Sequence, residues 1–200
     1  MTTNNHSTSD HSIDFMLEEF RFLKVSFEGT MEGRNERFKN FINIIFGAAA
    51  LLATIGQFSR TSSVLNYSII AISVVLFAYG WFVFSRLIVY NLAIERYRVA
   101  INKVRKYFVD LDTNLEQYLA VAVSEPEQKK TGNRLGGGLV GITALTNSLL
   151  LLVAGTVLSI EVAKLRDVFS LGPGLLLAFL SWGLHAVYHG KQVKNKLQKR

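Results

Sequence analysis

The chain has 200 residues, 50% hydrophobic and 18% charged, with 22 Lys and Arg against 15 Asp and Glu and no cysteine. A soluble domain usually carries about 25% charged residues, so the deficit calls for an apolar solvent. The missing cysteines exclude a disulfide-stapled secreted fold, thiolate metal sites and thiol catalysis.

Residues 1–12 are polar, contain no Lys or Arg and lack the apolar run of a signal peptide, so they are expected to be disordered. From Ile13 onward, Ile13, Leu17, Phe20, Leu23, Phe27 and Met31 recur at helical spacing, with Asp10 or Ser12 able to cap the start. Gly29 and Gly33 are expected to loosen the second half of this amphipathic helix. The first uncharged run follows, from Phe41 to Phe58, and a short connection leads to the second, Asn66 to Ser85. Each is close to the roughly 20 apolar residues that cross a bilayer as a helix.

No Pro or Gly interrupts the chain between Trp81 and Glu125, so the second span is expected to continue as one helix as far as Pro126. Its apolar residues, from Leu87 through Ile94, Ile101, Val104 and Phe108 to Leu115 and Tyr118, alternate three and four apart. That is the period of a coiled-coil seam, and the N-terminal helix is its natural partner. Residues 124–138 (SEPEQKKTGNRLGGG) read as a linker. Leu139 to Ile160 and Val168 to Tyr188 form the third and fourth uncharged runs, and residues 191–200 a basic tail. Gly172, Pro173 and Gly174 are expected to break the first turn of the last span.

The sequence thus predicts an all-α integral membrane protein with four transmembrane helices. Residues 13–123 hold the first two spans and a cytoplasmic helical hairpin, made of the N-terminal helix and the extension of span two, and residues 139–190 hold the other two spans. Orientation follows from the basic residues. Nineteen of them lie before span one, between spans two and three, or in the tail, against Arg60, Lys164 and Arg166 in the other two connections. Both termini are therefore expected in the cytoplasm.

Two clusters bear on function. Arg96, Arg98, Lys103, Arg105 and Lys106 make the membrane-proximal part of the long helix basic. Such a cluster holds anionic lipid headgroups against a span; alternatively it binds an anionic ligand such as a nucleotide or short nucleic acid. In span three, Thr143, Thr146, Asn147 and Ser148 gather polar groups in an apolar helix, where Asn147 needs a partner. Either they join helices, or Thr143 and Asn147, one turn apart, line a water-filled path built by three or more copies of the chain. Gly136 to Gly138 would then be a hinge at its mouth.

No HExxH, GxSxG, Walker-type loop or pair of intramembrane aspartates occurs, so no enzyme, no catalytic residue and no cofactor is expected. Ser181, His185 and His189 share one face of span four, together with Arg86 the sole candidates for chemistry at an interface. Two histidines are too few for a metal site, and both read as interfacial residues beside Trp182 and Tyr188.

The segments EEFRFLKVSFEG and YNLAIERYRVAINKVRKYFVDLDTNLEQYL, flanking a pair of spans, resemble small bacterial four-span membrane effectors of antiphage defence, including the Hailong-type channel subunit. The resemblance covers roughly the first 120 residues in pattern. It implies an oligomeric ion channel of the bacterial inner membrane, gated at its cytoplasmic face by a nucleotide-derived ligand on the stretch Arg96 to Lys106. The competing expectation is a non-conducting anchor or scaffold that recruits a cytoplasmic protein through the hairpin seam.

Overall fold

A computed structural model of the chain describes residues 5–58, 61–118, 138–161 and 170–197. They form four α-helices, α1 (Asn5–Phe58), α2 (Ser62–Leu111), α3 (Gly138–Glu161) and α4 (Leu171–Leu197), with a 3-10 turn at Thr113–Tyr118 and no strand among the described residues. All four helices are long and apolar enough to cross a membrane, which makes the chain a multi-pass membrane protein by length and composition. Its internal contacts divide it into two units, Met1–Arg34 with Tyr90–Gly132 and Asn35–Val89 with Asn133–Arg200.

In the first unit, α1 and α2 contribute Leu23, Ile94 and Val104 to a buried apolar seam. Gly33 admits the Tyr90 ring, whose hydroxyl would lie 3.5 Å from a Cβ placed there. Arg34 Nη1 donates to Asn91 Oδ1 at 3.2 Å, and Tyr107 Oη to Ser12 Oγ at 3.3 Å. Those two pairs fix the antiparallel register. Two sequence expectations about this unit need correcting. First, α1 begins at Asn5 rather than Ile13 and runs unbroken through Gly29 and Gly33; Gly33 is used for close approach, not for flexibility.

Second, α2 stops at Leu111, far short of Pro126. The cause is Asp112, whose Oδ1 accepts the Asn114 N–H at 2.9 Å while its own carbonyl accepts Leu115 N–H at 3.1 Å. An aspartate side chain competing for a backbone donor in this way favours a turn over a helix. Leu115 and Tyr118, expected on the seam, are exposed instead. The linker expected at 124–138 lies outside the described residues up to Gly138, whose φ of 70° requires glycine at the entry to α3.

In the second unit, α3 and α4 cross at glycines. A Cβ on Gly155 would meet the Gly174 Cα at 2.8 Å, and one on Gly174 would meet Leu152 O and Thr156 Oγ1 at 2.5 Å. Small residues let membrane helices approach this closely, which maximises dispersion contact where no hydrophobic drive exists. Pro173 sits in the first turn of α4, where its missing N–H has no intrahelical partner to lose. Gly172, Pro173 and Gly174 therefore start α4 rather than break it. Beyond the crossing, Asn66 Nδ2 donates to Glu161 Oε2 at 2.9 Å. The α1 portion of this unit buries Phe41, whose ring lies 6.1 Å from that of Tyr79, but leaves Phe46, Leu51 and Phe58 exposed.

Candidate functional site

Five polar side chains from α3 and α4 meet inside the second unit. Thr143, Asn147 and Ser148 come from α3, and Ser181 and His185 from α4; all are buried, Thr143, Asn147 and His185 completely. The spacing explains the meeting. Thr143 to Asn147 and Ser181 to His185 are each one helical turn, so each pair forms a short polar file on one face. The Gly155–Gly174 crossing brings α3 and α4 close enough for such files to touch.

His185 is the hub. Its Nδ1–H donates to the Ser181 carbonyl at 2.7 Å, which leaves Nε2 with its lone pair, and Nε2 accepts Asn147 Nδ2–H at 3.2 Å. Thr143 Oγ1 donates back to Leu139 O at 2.8 Å. Ser148 Oγ lies 3.0 Å from Ala144 O and 3.3 Å from Ser181 Oγ, linking the two helices a second time.

Helix α2 closes the site with apolar groups. Phe84 and Trp81 point their rings edge-on to the imidazole, with centroids 4.5 and 4.7 Å away, and Phe77 stands at 6.3 Å. Trp81 also stacks obliquely on Tyr188 at 5.3 Å. Gly80 is required by this closure, because a Cβ there would overlap the Asn147 carboxamide. The carboxamide oxygen is buried with no hydrogen-bond partner among the described residues, as is His189 Nδ1. Buried polar atoms are nearly always paired, which sets this oxygen apart within the site.

A serine, a histidine and an asparagine in contact invite comparison with nucleophilic catalysis, but the hydrogen bonds oppose it. A general base needs a free lone pair facing the nucleophile. Here the nitrogen nearest Ser181 Oγ, at 3.4 Å, carries the proton given to the carbonyl, and the other nitrogen is occupied by Asn147. Among the described residues no group of three or more His, Cys, Asp or Glu could hold a metal ion. The arrangement is suited to holding three helices together.

The sequence-predicted residues fall as follows. Thr143 and Asn147 are brought together but enclosed within the single chain. His185, read from the sequence as an interfacial residue, is fully buried at the centre of the network and hydrogen-bonds locally to the Ser181 carbonyl. The basic residues separate into two faces: Arg96 and Lys103 are seven apart and exposed, whereas Arg98 and Arg105 are displaced from them by two residues, about 200° around a helix. Arg98 pairs with Glu95 at 3.1 Å, and Lys106 is exposed. Sequence reasoning missed Gly80, Trp81 and Phe84, although a glycine flanked by aromatics in an apolar span is a signal of close packing. No protein-family model, no curated protein and no solved structure matches this chain.

Proposed function

We propose that the protein is a subunit of an oligomeric membrane channel or pore-forming effector. The observation that carries this reading is the polar file of Thr143, Asn147, Ser148, Ser181 and His185 buried inside apolar helices. Ionisable groups in the bilayer are expensive and mark ion paths and relays, and His185, wholly buried, belongs to that class. Four short spans are too few to line a water-filled path, so conduction takes several copies, with the Asn147–His185 hydrogen bond holding α3 closed against α4. Parting that bond turns Thr143 and Asn147 toward water. No carboxylate lies inside the uncharged runs, which disfavours proton-coupled transport.

In this reading both termini are cytoplasmic, the membrane is the bacterial inner membrane, and the setting is antiphage defence. Anionic nucleotide or oligonucleotide binds the basic face at Arg96, Lys103 and Lys106, or the second face at Arg98 and Arg105, and biases the gate. A scaffold is the second reading, favoured by the complete burial of Thr143 and Asn147 inside one chain. It recruits a cytoplasmic protein and conducts nothing.

Currents across planar bilayers separate the two. Asn147→Leu is expected to alter the current of the wild-type protein, since loss of the closing hydrogen bond raises it and loss of the polar lining lowers it, while the variant still inserts and assembles at unchanged mass. Unchanged current would remove Asn147 from the path and return the polar file to packing.

A further inference from the structure

The part of α1 in the first unit carries two apolar stripes, not one. The inner stripe of Ile13, Met16, Phe20, Leu23 and Phe27 is half-buried or buried. On the opposite face Phe15, Glu18, Phe22 and Val25 follow the same alternation of three and four. Phe15, Phe22 and Val25 are 66%, 63% and 69% exposed, and Phe15, Glu18, Glu19 and Phe22 line a shallow groove. Lipid cannot cover this face, since charged residues recur throughout the same stretch of helix. A helix with two heptad stripes is built to touch two neighbours.

We infer that the outer stripe docks on a second copy of the chain, against the Arg96 and Lys103 face of that copy's α2, so that the subunits join head to tail. The inference rests on the oligomeric reading above and names its interface. Charge selects the partner face. Between residues 10 and 32 acidic residues outnumber basic ones six to two, and between residues 86 and 106 basic residues outnumber acidic ones six to one. The Ser12–Tyr107 and Arg34–Asn91 hydrogen bonds set the depth of the two helices. Interpolating between them puts Glu18 level with Lys103.

Copies in a membrane are related by rotation about its normal, which preserves depth, so Glu18 of one copy meets Lys103 of the next. The aliphatic stems of Arg96 and Lys103 cover Phe15 and Phe22, with their cationic ends over ring faces. Pairing the outer stripe with itself across a two-fold axis would instead set Glu18 against Glu18, a like-charge contact that disfavours it. A head-to-tail contact closes into a ring, whereas the two-fold contact stops at a dimer.

The chain has no cysteine, so introduced thiols are the only ones present. Full-length Glu18→Cys and Lys103→Cys chains, carrying different tags, are co-expressed and treated in membranes with a short bis-maleimide. The expected product is a covalent dimer bearing both tags, and with Glu18→Cys/Lys103→Cys a ladder of higher species. Glu18→Lys should lower assembly several-fold and Glu18→Lys/Lys103→Glu should restore it. Cross-linking of Glu18→Cys with itself, or no cross-link in an oligomer of unchanged mass, would overturn this interface while leaving the oligomer standing. A wild-type mass of one chain would remove the interface and the oligomeric reading together.

Discussion

His185→Leu should destabilise the second unit by about 1–2 kcal/mol, read as a lower midpoint of thermal unfolding in detergent. Interhelical hydrogen bonds in membranes are typically worth only ~0.6 kcal/mol, because the separated helices find other partners. This one should sit at the upper end. Both of its partners are wholly buried, and the Asn147 oxygen already lacks a partner, so losing His185 leaves the entire carboxamide unpaired. The same reasoning gives a sharper expectation for the pair. Removing both polar groups of a buried hydrogen bond costs less than removing one, so Asn147→Leu/His185→Leu should lie closer to the wild type than His185→Leu does. A double variant whose loss equals the sum of the two single losses would show that these residues do not act together.

The second large effect is expected at the α3–α4 crossing. Gly174→Ala forces a Cβ against Leu152 O and Thr156 Oγ1, both within 2.5 Å of its position, and the first of these is backbone that cannot rotate away. Overpacking of this kind costs about 1–3 kcal/mol. Gly183→Ala provides the control, since nothing lies within 4 Å of a Cβ there, and alanine is the better helix former by about 1 kcal/mol. The unfolding midpoint should therefore fall for Gly174→Ala and hold or rise for Gly183→Ala. Equal midpoints would mean that the glycines are not what brings the two helices together.

Much of this architecture was legible because bilayer physics is simple. Uncharged runs of spanning length have few alternatives, and the four helices fall where those runs lie. The need of Asn147 for a partner was also legible, since an amide in an apolar helix must be paired. The identity of that partner was not, because His185 is distant in sequence and lies close to the end of its apolar run beside Trp182 and Tyr188. Those neighbours suggest an interface, and only the glycine crossing turns the ring inward. The end of α2 was not legible for a different reason: no Pro or Gly marks it, and the aspartate at 112 ends the helix through its side chain. The basic cluster looked continuous in sequence, yet residues two apart on a helix point in opposite directions. The outer stripe of α1 was hidden because its glutamate interrupts the apolar pattern at one position in four.

The central claim, an oligomer that conducts ions, is tested most directly by measuring ion flux into liposomes and subunit mass on the same purified preparation. A complex of three or more chains that passes ions down an imposed gradient is the expected result. A single chain, or a stable complex that stays silent across voltage and in the presence of nucleotides, would contradict it.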